Sequence, residues 1–419
     1  MSNTQKKNVP ELRFPGFEGE WEEKKLGDLT DRVIRKNKNL ESKKPLTISG
    51  QLGLIDQTEY FSKSVSSKNL ENYTLIKNGE FAYNKSYSNG YPLGAIKRLT
   101  RYDSGVLSSL YICFSIKSEM SKDFMEAYFD STHWYREVSG IAVEGARNHG
   151  LLNVSVNDFF TILIKYPSLE EQQKIGKFFS KLDRQIELEE QKLELLQQQK
   201  KGYMQKIFSQ ELRFKNENGN DYPDWERIKF FDVIDKVIDF RGRTPKKLNM
   251  EWSDEGYLAL SAVNVKKGYI DFNVEAKYGN LDLYTRWMRG NELYKGQVLF
   301  TTEAPMGNVA QVPDNKGYIL SQRTIAFNSN EKITDNFLAS LLSSENVYND
   351  LLKLCSGATA KGVSQKNLNR LYVTIPHSIS EQEEIAEFFR KINQLVELQK
   401  YKIEHTKSQK QVFLQKMFI

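Results

Sequence analysis

The sequence predicts an α+β protein: two similar mixed α/β domains plus two long helices that form an antiparallel intramolecular coiled coil, in a pseudo-twofold circular arrangement. Three observations predict it. The landmarks of the first half return in order in the second. Each half ends in a heptad seam that could not stay exposed to water, and two matching seams in one chain can satisfy each other internally. The length, 419 residues, also exceeds the size at which one hydrophobic core usually keeps growing.

Residues 1–10 are polar and lack the apolar core of a secretory signal, which predicts a cytoplasmic protein. Glu-Leu-Arg-Phe follows at residues 11–14 and returns at 211–214, and a Trp-Glu pair follows each copy, at Trp21-Glu22 and Trp225-Glu226. Ser139-Gly140 is matched by Ser356-Gly357, and Gly145 by Gly362. The offset drifts here, from 204 for the tryptophans to 217 for the Ser-Gly pair, as in domains whose loops have diverged. Short apolar or β-branched runs predict strands at 45–48, 81–83, 111–116, 257–260, 298–301 and 325–327. Each block then turns helical. Phe124, Tyr128 and Phe129 share one face of the first such helix, and Phe337, Leu341, Leu342 and Leu351 share one face in the second block.

The tails repeat most closely. Glu171-Gln172, Ile175, Phe178-Phe179 and Gln205-Lys206 return as Glu381-Gln382, Ile385, Phe388-Phe389 and Gln415-Lys416, at a constant offset of 210. Freedom from insertions is what a helix with a fixed packing seam requires. Ser168 with Glu171, and Ser378 with Glu381, have the spacing of a capping box, in which the serine caps the first turn and the glutamate reaches back. From there Ile175, Phe179, Leu182, Ile186, Leu193, Leu196, Tyr203 and Ile207 advance by fours and threes, with Glu189 and Lys200 as polar members. The second copy offers Ile385, Phe389, Ile392, Val396, Ile403, Phe413 and Met417, with Gln399, Thr406 and Lys410 as its polar members. About 38 residues at 1.5 Å each make a rod on the order of 57 Å. Phe208 precedes Glu211 as Phe418 would precede Glu11 in a closed circle, so the N-terminal segment is expected beside the C-terminal helix end. The expected division is 1–167, first domain; 168–209, first helix; 210–377, second domain; 378–419, second helix.

Sixty Lys and Arg stand against 54 Asp and Glu, a net charge of +6 that is compatible with a nucleic-acid partner. No apolar run approaches the roughly 20 residues of a membrane-spanning helix. Cys113 and Cys355 are too few for a disulfide framework and read as buried apolar fillers. An Asn-Pro-Pro-aromatic loop and a glycine-rich cofactor turn, which adenine methylation needs, are both missing from the sequence. Gly357 and Gly362 have the interval of a phosphate-binding loop, but Val363 and Ser364 stand where Lys and Ser or Thr are required. Asp224 with Glu275 and Lys277 can be forced into a nuclease pattern that the first half does not repeat. His133, His149, His377 and His405 show no ligand spacing. The balance predicts a binding protein with no catalytic residue, no metal and no cofactor of its own.

DNA readers need cations for phosphates and paired donors and acceptors for base edges. In the first block the loops of that composition supply Asn84, Lys85, Tyr87, Asn89, Arg98, Arg101, Arg147 and Asn148. In the second they supply Arg241, Arg243, Lys246, Asn264, Lys266, Gln322, Arg323, Lys361, Gln365 and Lys366. Taken singly, each residue suits a solvated surface loop as well as a DNA contact; a set in each half is what a two-headed reader needs.

On these residues the chain resembles the specificity subunits of type I restriction-modification systems over essentially its whole length. The second half carries Gly357-Ala-Thr, Leu368, a short apolar strand to Pro376, Ser-Glu-Gln and Ile385-Ala-Glu-Phe-Phe before the long helix. The first half keeps Pro167, Glu170-Glu171-Gln172 and Ile175-Gly-Lys-Phe-Phe, and departs at Gly140-Ile-Ala. The resemblance implies two target recognition domains that read a bipartite, asymmetric double-stranded DNA sequence. It implies that the helices act as a spacer and dock two DNA methyltransferase subunits, with restriction/translocase subunits added in the full complex. S-adenosylmethionine, magnesium and ATP would then belong to those partners. Two other readings stay open at this point: a duplicated protein-binding scaffold with no DNA affinity, and a single-chain nuclease with an unrecognised site.

Overall fold

Ser168 and Ser378 each accept a hydrogen bond from the backbone N–H of the glutamate three residues on, at 3.4 Å in both cases. They start the helices Leu169–Phe208 and Ile379–Lys416 of this computed structural model. The structure describes residues 8–50, 52–61, 69–86, 90–142, 152–274, 276–355 and 361–419. The glutamates do not complete the expected capping box. Glu171 and Glu381 are 1% exposed, and a carboxylate so far from water needs a cation more than a backbone N–H. Arg13 grips Glu171 with Nε and a terminal nitrogen, both at 2.7 Å, and Arg213 grips Glu381 at 3.0 to 3.2 Å. The repeated Glu-Leu-Arg-Phe and Glu-Gln segments are therefore the two halves of one clamp, present twice.

The chain divides into two compact units, residues 1–191 with 401–419 and residues 192–400, so each long helix crosses from one unit to the other near its middle. The helices have 40 and 38 residues, about 60 and 57 Å of rise.

The first unit is built on an antiparallel sheet in the order Thr30–Arg32, Tyr111–Ile116, Phe81–Asn84, Ala95–Arg98. Strand alternation sends Phe81, Tyr83, Ile112 and Phe114 to one core and Ala82 and Cys113 to another. Burial pushes the Cys113 thiol up to about 12, in keeping with an apolar filler. The helix Lys122–Asp130 covers the first core, and the Gln172 side chain accepts from Ser121 N–H at that helix's start. Gly176 permits the close approach: a Cβ there would lie 2.6 Å from the Phe124 nitrogen. Ile175 and Phe179 from one long helix meet Leu414 from the other, and Met417 and Phe418 just past its end, in this core. The helices run antiparallel, with Phe178 on Phe413 at 5.1 Å and ion pairs Glu189–Lys402 and Glu190–Lys407. Leu12 N–H donates to Lys416 O at 2.8 Å, which places the N-terminal segment at the C-terminal helix end as expected.

The second unit repeats the plan: Ile234–Asp239, Thr324–Ser329, Val298–Thr301, Val309–Gln311, all antiparallel. Val298, Phe300 and Phe327 face one core, and Leu299, Ala310 and Ala326 the other. Gln382 accepts from Thr334 N–H as Gln172 does from Ser121. Ile207 and Phe208 join Ile385 and Phe389 in the core, with Phe208 stacked on Phe389 at 6.1 Å. In each unit a two-stranded ladder closes the block, Glu22–Lys25 with Leu163–Tyr166 and Glu226–Lys229 with Tyr372–Ile375.

Along the seam Ile186, Val396 and Ile403 are buried, Leu182, Leu193, Leu196, Ile392 and Phe413 half-buried, and the polar members Gln399, Thr406 and Lys410 buried as well. Tyr203 is an exception. It is 40% exposed and lies edge-on to Phe388 at 5.1 Å, while its neighbour Met204 takes the buried place. A phenol at the seam would have to desolvate its hydroxyl, and the thioether has no such cost.

Candidate nucleic-acid interface

Four cations of the second unit line a cleft of about 740 Å³. Arg243, Lys246, Lys277 and Arg323 line it against a single carboxylate, Glu251, with Trp252, Ser261, Ala262 and Ser321 among the remaining walls. Two backbone bonds hold the turn at 321–323 in place: Ala262 N–H donates to Gln322 O at 3.3 Å, and Thr302 N–H to Arg323 O at 2.9 Å. Two lining residues without glycine's freedom, Ala304 and Arg323, hold left-handed φ values of 52° and 63°. Arg323 also pairs with Glu303 at 3.2 Å, and Glu303 bridges to Gly362, which brings Lys361 and the segment after it to the same edge. Gln365 donates to Asp239 at 2.9 Å, and Arg241 pairs with the same carboxylate at 3.7 Å.

Of the sequence-predicted set, Arg243, Lys246, Gln322 and Arg323 share the cleft, and Arg241, Lys361, Gln365 and Lys366 lie on segments tied to it. Asn264 does not present its side chain. It is 1% exposed, accepts from Ser261 and donates to Val274 O at 2.7 Å, so its amide holds a loop together. Arg243 is half committed, donating to Trp287 O and lying over the Phe240 ring at 4.2 Å. Lys266 is half-buried outside the cleft lining. Three residues outside the sequence-predicted set stand at the cleft: Lys277 and Trp252 in its lining, and Glu303 paired with Arg323 beside it. Lys277 could have been found as a cation in a strand-bounded loop, but Trp252 and Glu303 carry no signal apart from their place in the fold.

In the first unit Asn84 accepts from Ser86 N–H at 3.0 Å and Lys85 donates to Val154 O at 3.3 Å, which fixes the start of that loop. Arg101 is exposed with no ion pair among the described residues. Arg98 is turned inward: Asp123 at 2.6 Å and Glu126 at 3.2 Å hold its guanidinium, 19% exposed. Its neighbour Lys97 shares Asp130 with Lys410 of the second long helix, at 2.6 and 2.9 Å. The strand end at residues 97–98 therefore braces the unit. Tyr87, Asn89, Arg147 and Asn148 lie outside the described residues, as do Glu275 and most of the 357–362 loop. Asp224, the other half of the nuclease-like pattern, pairs with Arg213 at 3.6 Å. Among the described residues no three His, Cys, Asp or Glu side chains gather as a metal site, and no helix is long and apolar enough to cross a membrane.

Fold and cleft together define a duplicated two-domain protein whose halves share one architecture and one clamp. Comparison with known proteins agrees. The pattern of the type I restriction modification DNA specificity domain (Methylase_S) matches residues 18–198 and again 222–406. The type I restriction enzyme MjaVIII specificity subunit of Methanocaldococcus jannaschii is 26% identical over 416 residues, covering 94% of this chain and 90% of that one. The crystal structure of the type-I restriction-modification system S subunit from M. genitalium superposes with a TM-score of 0.58 at 14% identity, over 98% of this chain and 99% of that one. A chain from a structural study of complex assembly and conformational transition of the type I R-M system gives 0.52 at 17% identity, over 98% and 99%. At such identities the structural likeness shows the fold. The chain belongs to the type I restriction-modification DNA specificity family and is a non-catalytic specificity subunit.

Proposed function

We propose that each unit reads one half of a bipartite, asymmetric double-stranded DNA target across a gap of unspecified bases. The observation that carries this reading is the duplication itself: one chain holds the same four-stranded sheet order and the same arginine–glutamate clamp twice. In the second unit the cleft with Arg243, Lys246, Gln322 and Arg323 faces DNA, flanked by Arg241, Lys361, Gln365 and Lys366. In the first, Asn84, Lys85 and Arg101 do so with Tyr87, Asn89, Arg147 and Asn148.

The two long helices set the distance between half-sites, since helices of 40 and 38 residues suit half-sites one turn of duplex, roughly 34 Å, apart. The same helices dock two methyltransferase subunits, which supply S-adenosylmethionine chemistry and flip the adenine to be methylated. Restriction/translocase subunits join the full complex and use magnesium and ATP there. The assembly acts in the cytoplasm, where the DNA is.

Exchanging residues 21–165 for those of another family member tests the reading. Methylated sites should change in one half of the target and keep the other. A change in both halves would contradict independent reading by the two units.

A further inference from the structure

We propose that Arg323 and Gln322 are the base-reading pair of the second unit, Arg323 for a guanine and Gln322 for an adenine at a neighbouring position, with Glu303 as the residue that positions Arg323. The proposal rests on the reading that this unit contacts one half-site, and adds which side chains discriminate between bases.

A reading side chain needs a fixed backbone and a free end. The backbone is fixed: Gln322 O accepts from Ala262 N–H, and Arg323 O accepts from both Thr302 N–H at 2.9 Å and Thr302 Oγ1 at 3.3 Å. The left-handed φ of 63° at Arg323 is a conformation glycine would adopt more easily, and it persists because these bonds over-determine it. The ends are free. Glu303 Oε1 engages Arg323 through Nε at 3.2 Å, which leaves the two terminal nitrogens of the guanidinium beyond the pair. That fork matches the O6 and N7 acceptors of guanine in the major groove. Gln322 is exposed, and its amide has no partner among the described residues. A glutamine amide matches adenine N6 and N7.

The other base-capable side chains around the cleft are committed in whole or in part. Asn264 is buried and bonded within its loop, and Gln365 and Arg241 both hold Asp239. Arg243 is fixed by Trp287 O and the Phe240 ring. Lys246 and Lys277 are exposed point charges on the same cleft, which suits phosphate contact, since a phosphate carries no sequence information.

The test co-expresses the full chain with its methyltransferase subunit and maps methylated adenines genome-wide for the wild type, R323A, Q322A, E303Q and K246A. The wild-type motif should contain a guanine in the half-site assigned to this unit. In R323A that position becomes degenerate, losing a discrimination of about 5- to 160-fold. E303Q relaxes the same guanine to a smaller degree, Q322A relaxes one adenine position only, and K246A lowers methylation at all sites with the motif intact. If R323A does not accumulate, R323G, whose backbone suits φ 63°, is read in the same way. An unaltered motif in the arginine variant, relaxation of the other half-site, or a wild-type motif without guanine would overturn the proposal. Wild-type sites that are not bipartite would instead overturn the two-unit reading.

Discussion

Replacing Lys410 with methionine removes the charge that ties the second long helix to the first unit. Its ammonium stands 2.9 Å from Asp130 and 2.6 Å from Asp183, while Lys97 holds the other Asp130 oxygen at 2.6 Å. Burial pushes the Asp130 carboxyl up, but Lys97 and Lys410 outweigh it and bring it down to about 2. Against an ordinary aspartate, that depression corresponds to stability on the order of 2 kcal/mol at neutral pH. Two lysines share the effect, so only part of it belongs to Lys410. The pair with Asp183, 49% exposed, adds a few tenths at most after screening by water. Methionine keeps the packing of the stem, so K410M should cost on the order of 1 kcal/mol and lower Tm by a few degrees, about 2–4 °C per kcal/mol for a unit of this size.

The pH dependence is the sharper signature. A depressed carboxyl stabilises the fold above its ordinary pKa, and this is lost as pH falls through the folded value. The difference between wild type and K410M should therefore shrink between about pH 4 and 2. Burial pulls Lys410 down, yet Asp130 and Asp183 outweigh it and hold its ammonium above the ordinary range. Its contribution is thus complete below about pH 10.5 and declines above that. Thermal unfolding of the full chain by circular dichroism across pH 2–11 measures both limbs. A variant that melts at or above the wild type at pH 7, or a gap that does not narrow in acid, would refute the reasoning.

The two copies of the clamp differ at their tryptophans. Trp225 Nε1 donates to Glu381 at 3.0 Å, whereas Trp21 Nε1 has no partner among the described residues, so W225F should destabilise by about 1–2 kcal/mol more than W21F in chemical unfolding. Inserting one heptad into each long helix, after Gln191 and after Lys400, adds about 10 Å and should widen the unspecified gap by roughly three base pairs with both half-sites unchanged. A constant gap would remove the helices as the ruler.

The helices and the sheet strands were legible because each is a periodic element. Apolar steps of four and three marked Ile175 through Ile207, and short β-branched runs marked strands at 81–83, 111–116, 257–260 and 298–301 to within a residue of where they form. The choice between Tyr203 and Met204 was not legible, since both fall near the seam and only the facing Phe388 decides. Nor was the inward turn of Arg98, whose partners Asp123 and Glu126 come from a helix 25 and 28 residues on. Composition identifies residues able to meet DNA. Whether Asn264 closes a loop or Gln322 faces a cleft depends on which backbone groups lie nearby, and Val274 O and Ala262 N are brought there by the fold. The repeated Glu-Leu-Arg-Phe was visible as a repeat, but its role as the cationic half of a buried pair needed Glu171 and Glu381 in space.

The two-headed reading is tested most directly by a base-pair scan of one methylated site, measuring methylation by the assembled chain and methyltransferase as each position is changed in turn. Two short clusters of sensitive positions should appear, separated by a stretch where any base is accepted. A single unbroken run of sensitive positions would contradict the account.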